Sequence, residues 1–181
     1  VGNTLTCSAS ASDLNDGVLT NSITYRWISP LGSQLSGSQN LLLTNSNSNS
    51  GDVLTCVASV VDADGGTASL RALVAVENIA PTIGSVSITP EAPTTQDALT
   101  CAAFGSADLD GDEVSLSYTW IVDGTIQSET GTELAGPFAV SSQIACQVTP
   151  NDTTTNGQMV SATVSIQNSA PTIDVFTMDP T

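Results

Sequence analysis

The stretch DLDGDEVSLSYTW, residues 108–120, sets three aspartates at alternate positions ahead of a run in which Leu116, Tyr118 and Trp120 alternate with small polar residues. Apolar residues at period two share one face of a strand. Val114, Leu116, Tyr118, Trp120 and Val122 therefore predict a strand with one buried face, and Asp108, Asp110, Gly111 and Asp112 predict a tight loop before it. A weaker copy, DLNDGVLTNSITYRW (13–27), keeps the same order of features, so the stretch belongs to a repeat.

Working outward, the phrase APTI recurs at 80–83 and 170–173, a shift of 90, and Cys56 and Cys146 are also 90 apart. Upstream the shift grows to 93 between Trp27 and Trp120 and to 94 between Cys7 and Cys101. Length changes of this size fall in surface loops. The expected organisation is a first repeat over 1–79, a second over 80–169, and a trailing piece over 170–181. Aligned on the cysteines, the first repeat starts after the position of its strand A. Residues 170–181 match the second repeat's strand A, with Ile173, Phe176 and Met178 at the places of Ile83, Val86 and Ile88. That segment is expected to complete a following repeat, as a donated strand or within a longer chain. Val1 in place of an initiator methionine is expected of a mature chain or of a piece of a longer one.

Two further runs fall on one face at period two in the second repeat: Ile144, Cys146, Val148, and Val160, Ala162, Val164, Ile166. The first repeat echoes them with Ile23, Tyr25, Trp27, then Leu54, Cys56, Ala58, Val60, then Leu70, Ala72, Val74, Val76. Short strands with one apolar face, separated by Ser, Asn, Asp and Gly, are the pattern of antiparallel sandwiches. The low-complexity run at 32–51 reads as loops around a short strand at 41–44. Phe104 and Phe138 are expected in the core or anchoring loops. No helix longer than a turn is predicted.

Each repeat has the order cysteine, tryptophan, cysteine. In an immunoglobulin-type sandwich the cysteines lie on strands B and F of opposite sheets and the tryptophan of strand C packs on their bond. Four cysteines allow three pairings; Cys7 with Cys56 and Cys101 with Cys146 keep each bond inside one repeat. The expected fold class is all-β, two tandem immunoglobulin-like sandwiches with a trailing strand A. Disulfides imply an oxidising compartment, hence an extracellular place.

Composition excludes several functions. Eighteen acids against Arg26 and Arg71, with no lysine or histidine, give a net charge of −16. Phosphate backbones are bound by Lys and Arg that displace counterions, and anionic membrane surfaces attract the same residues, so neither nucleic acid nor membrane is an expected partner. No apolar run approaches the roughly 18 residues that suggest a spanning helix. Without histidine or lysine there is no Ser-His pair and no amine nucleophile. The remaining option, two carboxylates opposed across a cleft, does not suit acids crowded in one loop, so no enzyme is expected. Lysine-to-asparagine isopeptide bonds are equally excluded, which leaves the disulfides as covalent staples.

The acids suit a different chemistry. Calcium takes six to eight oxygens, and alternating acids on a tight loop supply several at once. Asp108, Asp110 and Asp112 have that arrangement, with Asp152 on a loop expected at the same end of the sandwich and Glu77 and Asn78 in the linker. Repeat one offers Asp13, Asn15, Asp16, Asp62 and Asp64. The alternative is ordinary turn chemistry, which selects Asp, Asn and Gly in any case.

The APTI linkers, the acidic DLDGDEVSLSYTW and the run MVSATVSIQNSAPTI (159–173) together resemble the tandem Ig-like and PKD-like repeats of large bacterial surface proteins and adhesins. The chain lacks the WDFGDG segment of PKD repeats and adds a cysteine pair. The resemblance spans both repeats and implies an extracellular spacer or filament element on a cell surface, in some cases stiffened by calcium. Its expected partners are adjacent repeats or copies of itself, head to tail. The alternative is an adhesion module that reads a sugar or host protein through its loop ends, which calls for an exposed aromatic or apolar patch that the sequence does not display.

Overall fold

A computed structural model describes residues 2–178 of the chain. It divides into two compact units, Val1–Ile79 with Leu109–Asp112, and Ala80–Asp108 with Glu113–Thr181. Among the described residues the named strands all pair antiparallel, with one isolated parallel bridge between Thr94 and Gln167 and one 3-10 turn at Thr20–Ser22.

The second unit is the fuller sandwich. Its strands are β9 (Ser85–Thr89), β10 (Leu99–Phe104), β11 (Ser115–Val122), β12 (Thr125–Ile126), β13 (Glu133–Leu134), β14 (Gln143–Asn151) and β15 (Val160–Ser165), numbered after eight in the first unit. They form a three-stranded sheet in the order β13-β10-β9 and a four-stranded sheet in the order β12-β11-β14-β15. The Cys101–Cys146 disulfide joins β10 to β14, one sheet to the other, with the Cα atoms 6.4 Å apart. Trp120 stands directly opposite Cys146 in the β11–β14 ladder and is fully buried. Its indole N–H donates to the Gly131 carbonyl at 3.0 Å, satisfying the one polar atom of a buried tryptophan.

Alternation explains which residues fill the core. Leu99 and Cys101 of β10 and Ile144, Cys146 and Val148 of β14 are buried, and the odd-numbered partners of β10 face inward with Ala103 behind them. Each fully buried aliphatic chain contributes about 1.5–3 kcal/mol relative to exposure. Phe104 falls on the other phase of that strand and is 55% exposed, so of the two places expected for it, core or loop anchor, the core is ruled out. Phe138 does pack against the core. At the turn before β10, the Thr94 N–H and hydroxyl donate to Asp97 Oδ2 at 2.6 and 2.8 Å. These bonds favour the ionised form and hold that carboxyl below its ordinary value.

The first unit contains β1 (Thr4–Thr6), β2 (Ser12–Asp13), β3 (Gly17–Val18), β4 (Thr24–Ile28), β5 (Gln34–Ser36), β6 (Asn40–Leu42), β7 (Val53–Val61) and β8 (Thr67–Ala75). Its larger sheet repeats the order of the second unit, β5-β4-β7-β8; β1 with β6 faces it as a two-stranded sheet, and β2 with β3 forms a separate two-stranded hairpin. Trp27 stands opposite Cys56, and Cys7–Cys56 joins the two sheets. Both disulfides thus have the pairing expected from the repeat. They close separations of 49 and 45 residues, which the chain-entropy account values at about 4 kcal/mol each.

Strand β6 covers Asn40–Leu42 where 41–44 is expected, beginning one residue early and ending two early, with Leu41 and Leu43 buried and Leu42 exposed. A larger departure is in β8. Leu70 and Ala72 share the apolar phase of that strand, yet both are exposed, Leu70 at 81%, whereas Val160 and Ala162 at the matching places of β15 are half-buried. The reason is topological: β9 packs over β15 in the second unit, and no strand among the described residues occupies that place in the first.

Candidate functional site

The first candidate is the loop between β10 and β11. Gly111 has φ +85°, a conformation that glycine adopts without steric cost, and the turn it makes folds the alternating acids back on each other. Carboxylate oxygens of Asp108, Asp110 and Asp112 come within 4.8 Å of one another. Two oxygens bound to one calcium at 2.3–2.6 Å can lie at most about 5.2 Å apart, so the spacing suits a shared ion of that kind. Asp110 is buried, and its Oδ2 accepts the Ile79 N–H at 2.6 Å. Gathering three carboxylates is repulsive unless positive charge offsets it.

The other predicted ligands are placed as follows. Asp152 is buried at the end of β14, and its Oδ1 accepts the N–H groups of Thr154 and Thr155 at 2.8 and 2.6 Å. Asn78 accepts the Ser50 hydroxyl at 2.9 Å, and Glu77 is exposed. Neither Glu77 nor Asp152 is among the acids at the triad's mutual spacing. In the first unit the acids hold turns. Asp13 Oδ1 accepts the N–H groups of Asn15 and Asp16, and Asp62 Oδ1 accepts those of Asp64 and Gly66. There DLNDG forms a small hairpin of β2 with β3 where DLDGD forms the acidic loop.

The second candidate is the open side of the first sandwich. In the second unit β9 lies antiparallel along β10, with Ile88 opposite Cys101 and Val86 opposite Ala103. The Gly84 N–H and the Thr82–Ala107 pair extend the ladder beyond it. In the first unit β1 pairs with β6 on one side, and no strand among the described residues pairs with the other. A groove of about 320 Å³ lies there, walled by Ala9 and Ala11, by Ile23, by Ala58 of β7 and by Ala68 and Leu70 of β8. Residues 170–178 belong to no sheet. Ile173, Phe176 and Met178 are 87%, 82% and 83% exposed, and residues 179–181 of the predicted trailing strand lie outside the described residues. The sequence does not announce the groove as a binding surface. Its visible trace is the apolar phase of β8, which asks for cover that the first unit lacks.

The single sequon, Asn151-Asp152-Thr153, lies at the end of β14. Asn151 Nδ2 donates to the Thr155 carbonyl and to Asn156 Oδ1, and Oδ1 accepts the Thr153 N–H. A glycan on that nitrogen would have to displace the first two bonds.

No helix among the described residues is long and apolar enough to cross a membrane. No protein-family model matches the chain, and no curated protein matches it. Solved structures are similar to it in fold. The amphioxus IgVJ-C2 molecule shares 14% identity over 91% of this chain and 95% of that one, with a TM-score of 0.43. Fibronectin(III)-like modules of Clostridium thermocellum CbhA share 16% over 80% and 78%, with a TM-score of 0.34. Three N-terminal domains of the bacteriophage RB49 Highly Immunogenic Outer Capsid protein share 14% over 92% and 57%, with a TM-score of 0.35. At these values the likenesses carry no functional argument. The chain's own strand orders and disulfides make it an all-β protein of two immunoglobulin-like sandwiches in tandem.

Proposed function

We propose that the chain is a non-enzymatic structural module of an extracellular bacterial surface stalk or filament, whose copies follow one another head to tail. The observation that carries this reading is the repetition itself. Each unit has its own buried core and its own inter-sheet disulfide, and the same sandwich plan recurs at a shift of 90 to 94 residues in the sequence. Modules of this kind bear load and set length without a cleft or a reactive group. The disulfides suit an oxidising compartment, and a charge of −16 keeps a densely displayed surface soluble and free of polyanions.

Mass analysis of the native protein recovered from the outside of intact cells, without reduction, tests the placement. Four cysteines resistant to alkylation are expected. Four alkylated thiols, or recovery only from the cytosol, would overturn the extracellular reading.

A further inference from the structure

We infer that the open groove of the first unit takes residues 170–178 of a second copy as its strand A, in the register that β9 keeps on β10. This inference deepens the head-to-tail reading and rests on it.

The second unit supplies the template. There the strand A position is filled by a segment that starts PTI at 81–83, places Val86 and Ile88 against the core, and reaches Pro90. Residues 171–180 repeat that arrangement at a shift of 90: PTI, then Phe176, Met178 and Pro180. With the 94-residue shift of the cysteine-bearing strand, the ladder Phe104–Ser85, Ala103–Val86, Ala102–Ser87 and Cys101–Ile88 becomes Ser10–Val175, Ala9–Phe176, Ser8–Thr177 and Cys7–Met178. The inward residues of this added strand, Phe176 and Met178, are exposed in the single chain, as is the rest of 170–178.

The groove fits what it would receive. Where the second unit has Val148 on β14, the first has the smaller Ala58 on β7, which lines the groove. Strand A changes in the opposite sense at the facing place, from Val86 to the larger Phe176, with Met178 standing for Ile88 at similar volume. The exchange at Ala58 therefore leaves room that a phenylalanine can fill, and Leu70 would be covered as Val160 is. Main-chain pairing along a sheet edge would supply affinity, and the alternate side chains would supply register, as in other cases of strand addition. The contact joins one surface to a different surface, so it does not close on itself and generates a fibre.

Disulfide trapping tests the register. Facing residues of an antiparallel pair have Cα atoms about 4.5–5.5 Å apart, within the span of a disulfide. A Ser10→Cys chain and a Val175→Cys chain, unfolded together without reductant, refolded as a mixture and mildly oxidised, should give a linked heterodimer. Ser10→Cys with Thr177→Cys, two residues out of register, should give at least tenfold less. In sedimentation, the unmodified chain should grow with concentration. The double variant Phe176→Asp and Met178→Asp should lose that growth while keeping both disulfides and its β spectrum. Equal trapping at both positions, no linked heterodimer, or an unmodified chain that stays at 18.4 kDa at every concentration would overturn the inference. These readouts concern the seam between copies. A failure here beside a fibrous native material would retire the donated strand and leave the filament reading in place.

Discussion

At the scale of single residues, two nearly identical acidic stretches do different work. In the first unit Asp13 and Asp62 spend their carboxylates on backbone N–H groups of their own turns, which is the turn chemistry that the sequence allows for any Asp-Gly run. In the loop before β11, one glycine with positive φ turns Asp108, Asp110 and Asp112 toward a common point. The sequence names the right residues in both places and cannot separate the two outcomes, because the difference lies in the backbone path after the first aspartate. The triad's spacing suits calcium, and the expected outcome is that calcium raises the melting temperature of the chain. At a hundredfold excess over the dissociation constant the gain is about 2.7 kcal/mol. The double variant Asp108→Ala and Asp110→Ala should melt alike with calcium and with chelator. A melting curve of the unmodified chain that ignores calcium would return these aspartates to the role of their counterparts in the first unit.

At the scale of elements, strand identity is legible wherever alternation is strong. The ladder of β11 with β14 puts Trp120 beside Cys146, and period two plus the cysteine order anticipates it. Phe104 shows the limit: an aromatic residue suggests core, but the phase of β10 set by Leu99 and Cys101 decides, and it points Phe104 outward. Leu70 shows a second limit, since one-strand periodicity marks an apolar face and says nothing about whether another strand covers it. A tight contact that no periodicity reveals is at Gly157, whose N–H donates to the Pro150 carbonyl at 2.8 Å. A β-carbon there would run into the carbonyl oxygen of Pro81. Gly157→Ala should therefore destabilise the second unit by about 1–3 kcal/mol, as overpacking does, lowering its midpoint in denaturant with both disulfides intact. An unchanged midpoint would mean that the segment before β9 yields easily.

At the scale of the whole molecule, the repeat is what made the architecture readable. Two copies of one pattern point to the disulfide pairing and to the match between the strand A of the second repeat and residues 170–178. What the repeat could not show is that the first unit keeps its groove open while the matching segment stays exposed, because that is a property of which strands share a sheet. The central claim is that these units are elements of a head-to-tail extracellular filament. Electron microscopy of material taken from the cell surface, at a resolution that traces side chains, tests it most directly. The account predicts a continuous fibre in which Phe176 and Met178 are buried beside Ala9 and Leu70 of the adjoining element. Discrete particles of one chain each, with residues 170–178 exposed and the groove empty, would contradict it.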